Sequence, residues 1–481
     1  MTDPDTPSVV VVESPPWRLR AATLAVAVGL LATGFFVAPP DGLSVEGFRA
    51  ILLIVSAILL WVFQPVDLAV TSLLGMAAIP VLGIVPARSS FELFGNQAVF
   101  FVLGVFVLAA VLMQSGLATR AALTLLARFD DSPARLANAV LVMSIVGCAF
   151  LVSHAVAAIL FPILLEICRA LGLPHKQSPF ARRLMLSMSW GTIVGSNLTF
   201  LSSVRVGLAL GLLDQHAARV GGGDGVSFGF WMLGSSVVVA LMAVAVAVVL
   251  HVSHPPEPLD MRPAVALLRG RVAAMGAVSR DEWVALASLV LMLVGMVAYG
   301  QTLGFGTIAL LAAGVNFVFG RLGWEAIEKY VSWGIVLLFG GAVAMASALE
   351  KTGGVTWVVE HVLAGGALGP LALVAVIAYC CVVMTEFASN SAVIAAIMPI
   401  AMVLADRAHL PARVMVFATV IPAGLAFMLP TGTPAMAMVF SSGYLRSRDT
   451  VLPGLVLIHL GWLAVLAAAA VWWPIIGLVP R

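Results

Sequence analysis

Residues 371–405 read LALVAVIAYCCVVMTEFASNSAVIAAIMPIAMVLA. The run is too long for one membrane-crossing helix, which needs about 20 apolar residues. It also carries a polar centre, Thr385-Glu386-Phe387-Ala388-Ser389-Asn390-Ser391-Ala392. Polar backbone at membrane depth is tolerated only where protein or a water-filled cavity covers it. The pattern therefore predicts a re-entrant hairpin, two apolar arms that meet at a polar tip and enter and leave on one side. Residues 134–171 repeat the pattern around Ser153-His154.

The two stretches belong to an internal repeat. Gly104 pairs with Gly341, a separation of 237 positions, and the same separation relates Gly116 to Gly353, Pro133 to Pro370 and Phe150 to Phe387. It continues through Ala155 and Ala392, Pro162 and Pro399, Pro174 and Pro411, and Gly195 and Gly432. Apolar residues match by chance often, but glycine and proline mark turns and helix breaks, so their matching at one offset carries weight.

Outward from the hairpins the chain is apolar nearly throughout. Of 481 residues, 62% are hydrophobic and 10% charged, where a soluble domain would carry about 25% charged residues. Further apolar runs fall at 21–38, 48–63, 66–84, 97–115, 183–213, 229–251, 283–300, 303–320, 333–350, 413–443 and 452–476. The fold class predicted is an all-α polytopic membrane protein with about 11 transmembrane helices plus two re-entrant hairpins, in two inverted-topology repeats. Five spans separate the fourth from the ninth, and an odd number inverts the second copy. Residues 1–17 read as a disordered tail and 18–251 as the first repeat, with its hairpin at 134–171 and an unwound helix at 191–199. Residues 252–282 read as a cytoplasmic linker and 283–481 as the second repeat, with its hairpin at 371–405 and an unwound helix at 429–434. The first apolar run lacks a small-residue cleavage site and reads as an uncleaved span. With the N-terminus inside, 17 basic residues face the cytoplasm and 7, among them Arg481, face out. The positive-inside rule then places the N-terminus in the cytoplasm and the C-terminus outside the inner membrane.

Inverted repeats with broken helices and a midplane site are the architecture of secondary transporters. Net charge is only +2 and no basic stripe exists, so no nucleic-acid partner is expected. The four cysteines, Cys148, Cys168, Cys380 and Cys381, lie in apolar runs without metal or redox spacing. Neither His-Glu-x-x-His nor Gly-x-Ser-x-Gly occurs, there is no intramembrane aspartate pair, and a channel selectivity signature is absent. The chain is read as a transporter, not an enzyme.

Two kinds of break carry the chemistry. Hairpin tips offer hydroxyl and amide groups to an ion. The unwound stretches Gly191-Thr192-Ile193-Val194-Gly195-Ser196-Asn197-Leu198-Thr199 and Leu429-Pro430-Thr431-Gly432-Thr433-Pro434 free backbone groups. At these residues the sequence resembles the divalent anion/sodium symporter family. Ser389-Asn390-Ser391-Ala392 followed by Pro399 looks like the family's Ser-Asn-Thr hairpin signature, and Met428 through Pro434 looks like its second unwound motif. The likeness spans roughly residues 42–475.

The resemblance implies symport of a small, divalent anion (a dicarboxylate, citrate or sulfate) with Na+, by an elevator-like motion, in a homodimer surrounded by membrane lipid. It implies a second-half sodium site at Thr385, Ser389, Asn390 and Gly432, with the anion held by Ser389, Asn390, Ser391 and Thr433. In the first half Val152-Ser153-His154 stands where Ser-Asn-Thr is expected, and Ser196-Asn197 replaces Thr-Pro. Ser153, His154, Ser196 and Asn197 are the anion candidates there, and Ser153 with Gly195 the sodium candidates. Because Val152 supplies no side-chain ligand, an anion exchanger or proton-coupled permease of the same fold is the alternative.

Four single features remain. Arg205 lies nine residues before Asp214, which at 1.5 Å per residue places it about 13 Å deep, near the midplane. It reads as a counter-charge for the anion or as an ion pair with Glu386. His154 reads as an anion contact or a proton-coupling group. Glu166 and Arg169 read as an interfacial pair, and Asn96 and Gln97 as cap residues.

Overall fold

The computed structural model describes residues 17–129, 132–222, 225–255, 257–361, 369–479; of the expectations above, all but the last residue of the N-terminal tail, and Arg481, lie outside them. Among the described residues every regular element is a helix. Ten helices are long and apolar enough to cross a membrane. Each of the eleven apolar runs outside the hairpins holds a helix or a broken pair of helices.

Local chemistry sets where these helices begin. Ser44, Asp67 and Asn96 each cap a helix by accepting from a backbone N–H two or three residues on. Ser279 and Glu282 form a reciprocal capping box at the start of Arg280–Leu303. Proline at the first helical position, where its missing N–H costs nothing, opens the first arm of each hairpin at Pro133 and Pro370. The first hairpin is Pro133–Gly147 with Ser153–Ala170, and the second is Pro370–Phe387 with Asn390–Arg407. Three of these arms, Ser153–Ala170, Pro370–Phe387 and Asn390–Arg407, are themselves long and apolar enough to span.

The separation of 237 reappears in the packing. The helix Gln97–Gln114 lies against Phe305–Phe319, and Trp333–Lys351 lies against Leu68–Val81. At the first crossing a Cβ on Gly104 would sit 2.7 Å from the backbone of Ala309, and at the second a Cβ on Gly341 would sit 2.4 Å from the carbonyl of Ser72. The two glycines are 237 positions apart, and so are Ser72 and Ala309, the residues they meet. Both glycines serve as close helix contacts, as small residues do between helices in lipid. Buried Trp190 donates its indole N–H to the carbonyl of Phe427, also 237 positions away, at 3.2 Å.

Two boundaries differ from the sequence reading. The first break spans 196–203, not 191–199, because Pro179–Gly195 is continuous helix. Gly191 and Gly195 seat that helix on the first hairpin arm, where added Cβ atoms would lie 2.9 Å from the carbonyl of Leu141 and 2.6 Å from that of Ile145. The glycines read as helix breakers are packing residues. The second break runs from 421 to 433, beginning before 429, with Pro422 removing a donor just after Ala412–Val420.

The linker 252–282 contains the helix Arg262–Ala274, which packs on the base of the first hairpin. Glu166 pairs there with Arg271, not with Arg169. Arg120 closes the linker's other end, donating to Glu282 and to the carbonyls of Met275, Gly276 and Ala277. In a cysteine-free background, a cysteine at Gly222 should react with a membrane-impermeant thiol reagent on intact cells, and one at Gly270 should react only after permeabilisation. The reverse pattern would invert the orientation.

Candidate functional site

Each hairpin tip is tied to the helix break of its own half. In the first half the N–H of Ser153 donates to the carbonyl of Ser202 at 3.0 Å, and the hydroxyl of Thr199 donates to the carbonyl of Ala149 at 3.1 Å. In the second half the hydroxyl oxygen of Thr385 lies 2.6 Å from Asn390 Oδ1 and 2.7 Å from the carbonyl oxygen of Ala423. The helices leaving the breaks cross over. Val204–Val220 packs on the second hairpin's arm Asn390–Arg407, and Pro434–Ser441 packs on the first hairpin's arm Ser153–Ala170.

Buried charge holds the breaks open. Glu386, 1% exposed, accepts from the backbone N–H groups of Phe427, Met428 and Leu429 at 2.7–3.2 Å. Donors freed by unwinding are thereby satisfied by a carboxylate, the stronger class of hydrogen bond. Arg205, 3% exposed, is the opposite device. Its Nε donates to the carbonyl of Val420 at 3.1 Å and its Nη1 to the hydroxyl of Ser203 at 2.6 Å. Its Nη2 reaches Ser196 Oγ at 3.0 Å and Asn197 Oδ1 at 2.7 Å. One guanidinium thus bridges the first break and the end of the helix that leads into the second. The ion pair of Arg205 with Glu386 does not form, because each group is already held by uncharged partners.

The remaining candidates sort by exposure. Ser153, His154, Ser389, Asn390, Ser391 and Thr433 are half-buried, while Ser196, Asn197, Gly195 and Gly432 are buried. Ser389 Oγ accepts from the N–H of Ala392, and Thr433 Oγ1 from that of Met436, so both cap a helix. His154 sits over the ring of Phe106, centroids 5.7 Å apart, and no protein group among the described residues hydrogen-bonds its imidazole. Sequence reasoning placed Thr199 in the unwound stretch but missed Ser202 and the carbonyls of Val420 and Ala423. Ile421-Pro422 signalled that early break, whereas carbonyl direction has no sequence signature.

The model described as the sodium:sulfate symporter transmembrane region matches residues 18–479. The chain belongs to that family. Its relatives include the sodium-dependent dicarboxylate transporter SdcS of Staphylococcus saprophyticus, 24% identical over 467 residues, covering 92% of this chain and 88% of the relative. SdcS of Staphylococcus aureus is 25% identical over 445 residues, 87% of this chain and 84% of the relative. Two solved transporters share the fold. YdaH of Alcanivorax borkumensis has a TM-score of 0.53 at 15% identity, covering 97% of this chain and 100% of that one. MtrF of Neisseria gonorrhoeae has a TM-score of 0.57 at 14% identity, with 94% of each chain covered. The protein is a multi-pass membrane transporter of a family of transporters, not enzymes.

Gly424 tests the geometry around Arg205. A Cβ there would sit 2.0 Å from Nη2 and 2.4 Å from Cζ, whereas one on Gly314 meets nothing within 4 Å. Gly424→Ala should lower the apparent melting temperature and abolish anion transport, while Gly314→Ala leaves both unchanged. Equal behaviour of the two variants would show that the guanidinium does not occupy that space.

Proposed function

We propose that this protein is a secondary active symporter carrying a small, divalent anion of the dicarboxylate, citrate or sulfate type together with sodium. The observation that carries the reading is the oxygen cluster of the second half. Thr385 Oγ1 has one hydrogen and two acceptors, Asn390 Oδ1 and the Ala423 carbonyl, at 2.6 and 2.7 Å. Three oxygens thus converge beside the second tip, the ligand type that a hard cation such as sodium takes. Ser389 and the backbone near Gly432 complete the proposed sodium site. The anion would sit against the half-buried groups of both tips, Ser389, Asn390, Ser391, Thr433, Ser153 and His154, where freed amides point at negative charge.

In this reading the two copies are inverted repeats, and the reciprocal Gly104–Ala309 and Gly341–Ser72 contacts support a two-fold relation between them. The hairpins with the broken helices form the moving body of an elevator, re-entrant from opposite faces. The first three spans of each half form the scaffold of a homodimer in the inner membrane, with the N-terminus cytoplasmic and the C-terminus external. The sodium-dependent dicarboxylate transporters among the relatives support sodium coupling and a dicarboxylate cargo. Absence of a side-chain ligand at Val152 favours, as the second reading, an exchanger or proton-coupled permease.

Labelled succinate, citrate, malate and sulfate offered to proteoliposomes separate these readings. Symport predicts uptake of at least one of them driven by an inward sodium gradient and lost in Asn390→Ala, which should still purify as a folded protein. Uptake indifferent to sodium but driven by internal anion or by a proton gradient would replace symport with the second reading.

A further inference from the structure

The two halves of the site occupy repeat-related positions yet carry opposite chemistry. In the second half, Thr385 Oγ1 lies 2.6 Å from Asn390 Oδ1 and 2.7 Å from the carbonyl oxygen of Ala423, a cluster of oxygens. In the first half, 237 positions earlier, Cys148 stands for Thr385, Val152 for Ser389 and Ser153 for Asn390. Cys148 directs its thiol to the carbonyl of Thr192 at 3.7 Å, and Val152 has no polar side-chain atom. A Cβ on Gly195 would lie 2.9 Å from the Cβ of Cys148, so the first hairpin and the helix before the break are in direct contact there.

In the first break, Ser196 O and Oγ, Asn197 Oδ1 and Ser203 Oγ all accept from Arg205. Among the described residues no carboxylate lies within ion-pair distance of this guanidinium. A full positive charge, 3% exposed, is therefore solvated by neutral oxygens alone. Such a charge is costly in a low-dielectric interior unless an anion shares its site.

We infer that the guanidinium of Arg205 is the resident cation of the first half, so that this half takes no sodium and the transporter couples one sodium to each anion. The inference rests on the symport reading above. It replaces the first-half sodium site at Ser153 and Gly195 with a covalently attached charge. A divalent anion then meets two positive charges, one mobile at the second tip and one fixed at the first break. The fixed charge stays in the protein through the cycle and draws nothing from the sodium gradient. Lysine keeps the charge but not the three-nitrogen fork that spans Val420, Ser203 and Ser196.

The direct test is the ratio of sodium-22 to labelled anion taken up by wild-type proteoliposomes, using whichever anion supports sodium-driven uptake. One sodium per anion is expected, with a Hill coefficient near 1. Two or more sodium ions per anion with Arg205 in place overturns the inference and leaves symport standing. No sodium uptake with the anion overturns the symport reading itself. A binding measurement without transport is the second arm. In Arg205→Gln the thermal shift induced by sodium alone should persist, while the anion concentration needed for half-maximal shift rises at least about tenfold, as loss of a charged hydrogen-bond donor implies. Arg205→Lys should recover part of that affinity. Anion affinity within twofold of wild type in Arg205→Gln, or joint loss of the sodium shift, also overturns the inference; should that variant fail to fold, the wild-type flux ratio decides.

Discussion

A guanidinium at the centre of an apolar molecule has to be solvated by oxygens, and those around Arg205 come from both broken helices. Val420 ends the helix that leads into the second break, and Ser196, Asn197 and Ser203 belong to the first break. Neither break can rewind into helix without withdrawing oxygens from that charge. On the second side Glu386 exerts the same constraint with the opposite sign, because its carboxylate holds three backbone N–H groups that a helix would reclaim. Two buried charges, each partnered by dipoles instead of by one another, keep unwound backbone at the level where the hairpin tips arrive. A direct ion pair would have neutralised both and left nothing to hold the breaks or to meet an ion.

This arrangement gives the hairpin tips their chemistry. Broken helices present carbonyls on one side and amides on the other, so a cation and an anion can share one clamp. The cross-packing of Val204–Val220 on the second hairpin and of Pro434–Ser441 on the first makes each half of the clamp depend on the other. Trp190, in the helix that leads into the first break, donates to the carbonyl of Phe427 and so ties that helix to the second break. An ion that tightens one tip against its break changes the surface offered to the other tip, which is the physical route by which two ligands become coupled.

Much of the fold was legible because prolines, glycines and apolar runs are local signals. The hairpin arms begin at Pro133 and Pro370, one residue before the positions read from the sequence, and Asn96 caps its helix. Gly191 and Gly195 misled, because a glycine in a helix serves close packing as readily as unwinding, and only the position of Leu141 and Ile145 decides which. Arg205 was legible as a deep charge, but its partners were not. The sequence shows that a buried arginine needs oxygens, whereas carbonyls of residues 215 positions away carry no mark of that role. Glu166 shows the same limit, since its partner Arg271 comes from the linker and not from the neighbouring turn.

The central claim is that anion and sodium occupy one clamp built from both halves, and thermodynamic reciprocity tests it most directly. Two ligands linked through one site must change each other's affinity by the same factor. Melting-temperature titrations of the purified protein give both quantities, anion affinity at fixed sodium concentrations and sodium affinity at fixed anion concentrations. The account predicts that saturating sodium tightens the anion and that saturating anion tightens sodium by an equal factor. Sodium that stabilises the protein while leaving the affinity of every tested anion unchanged would contradict it.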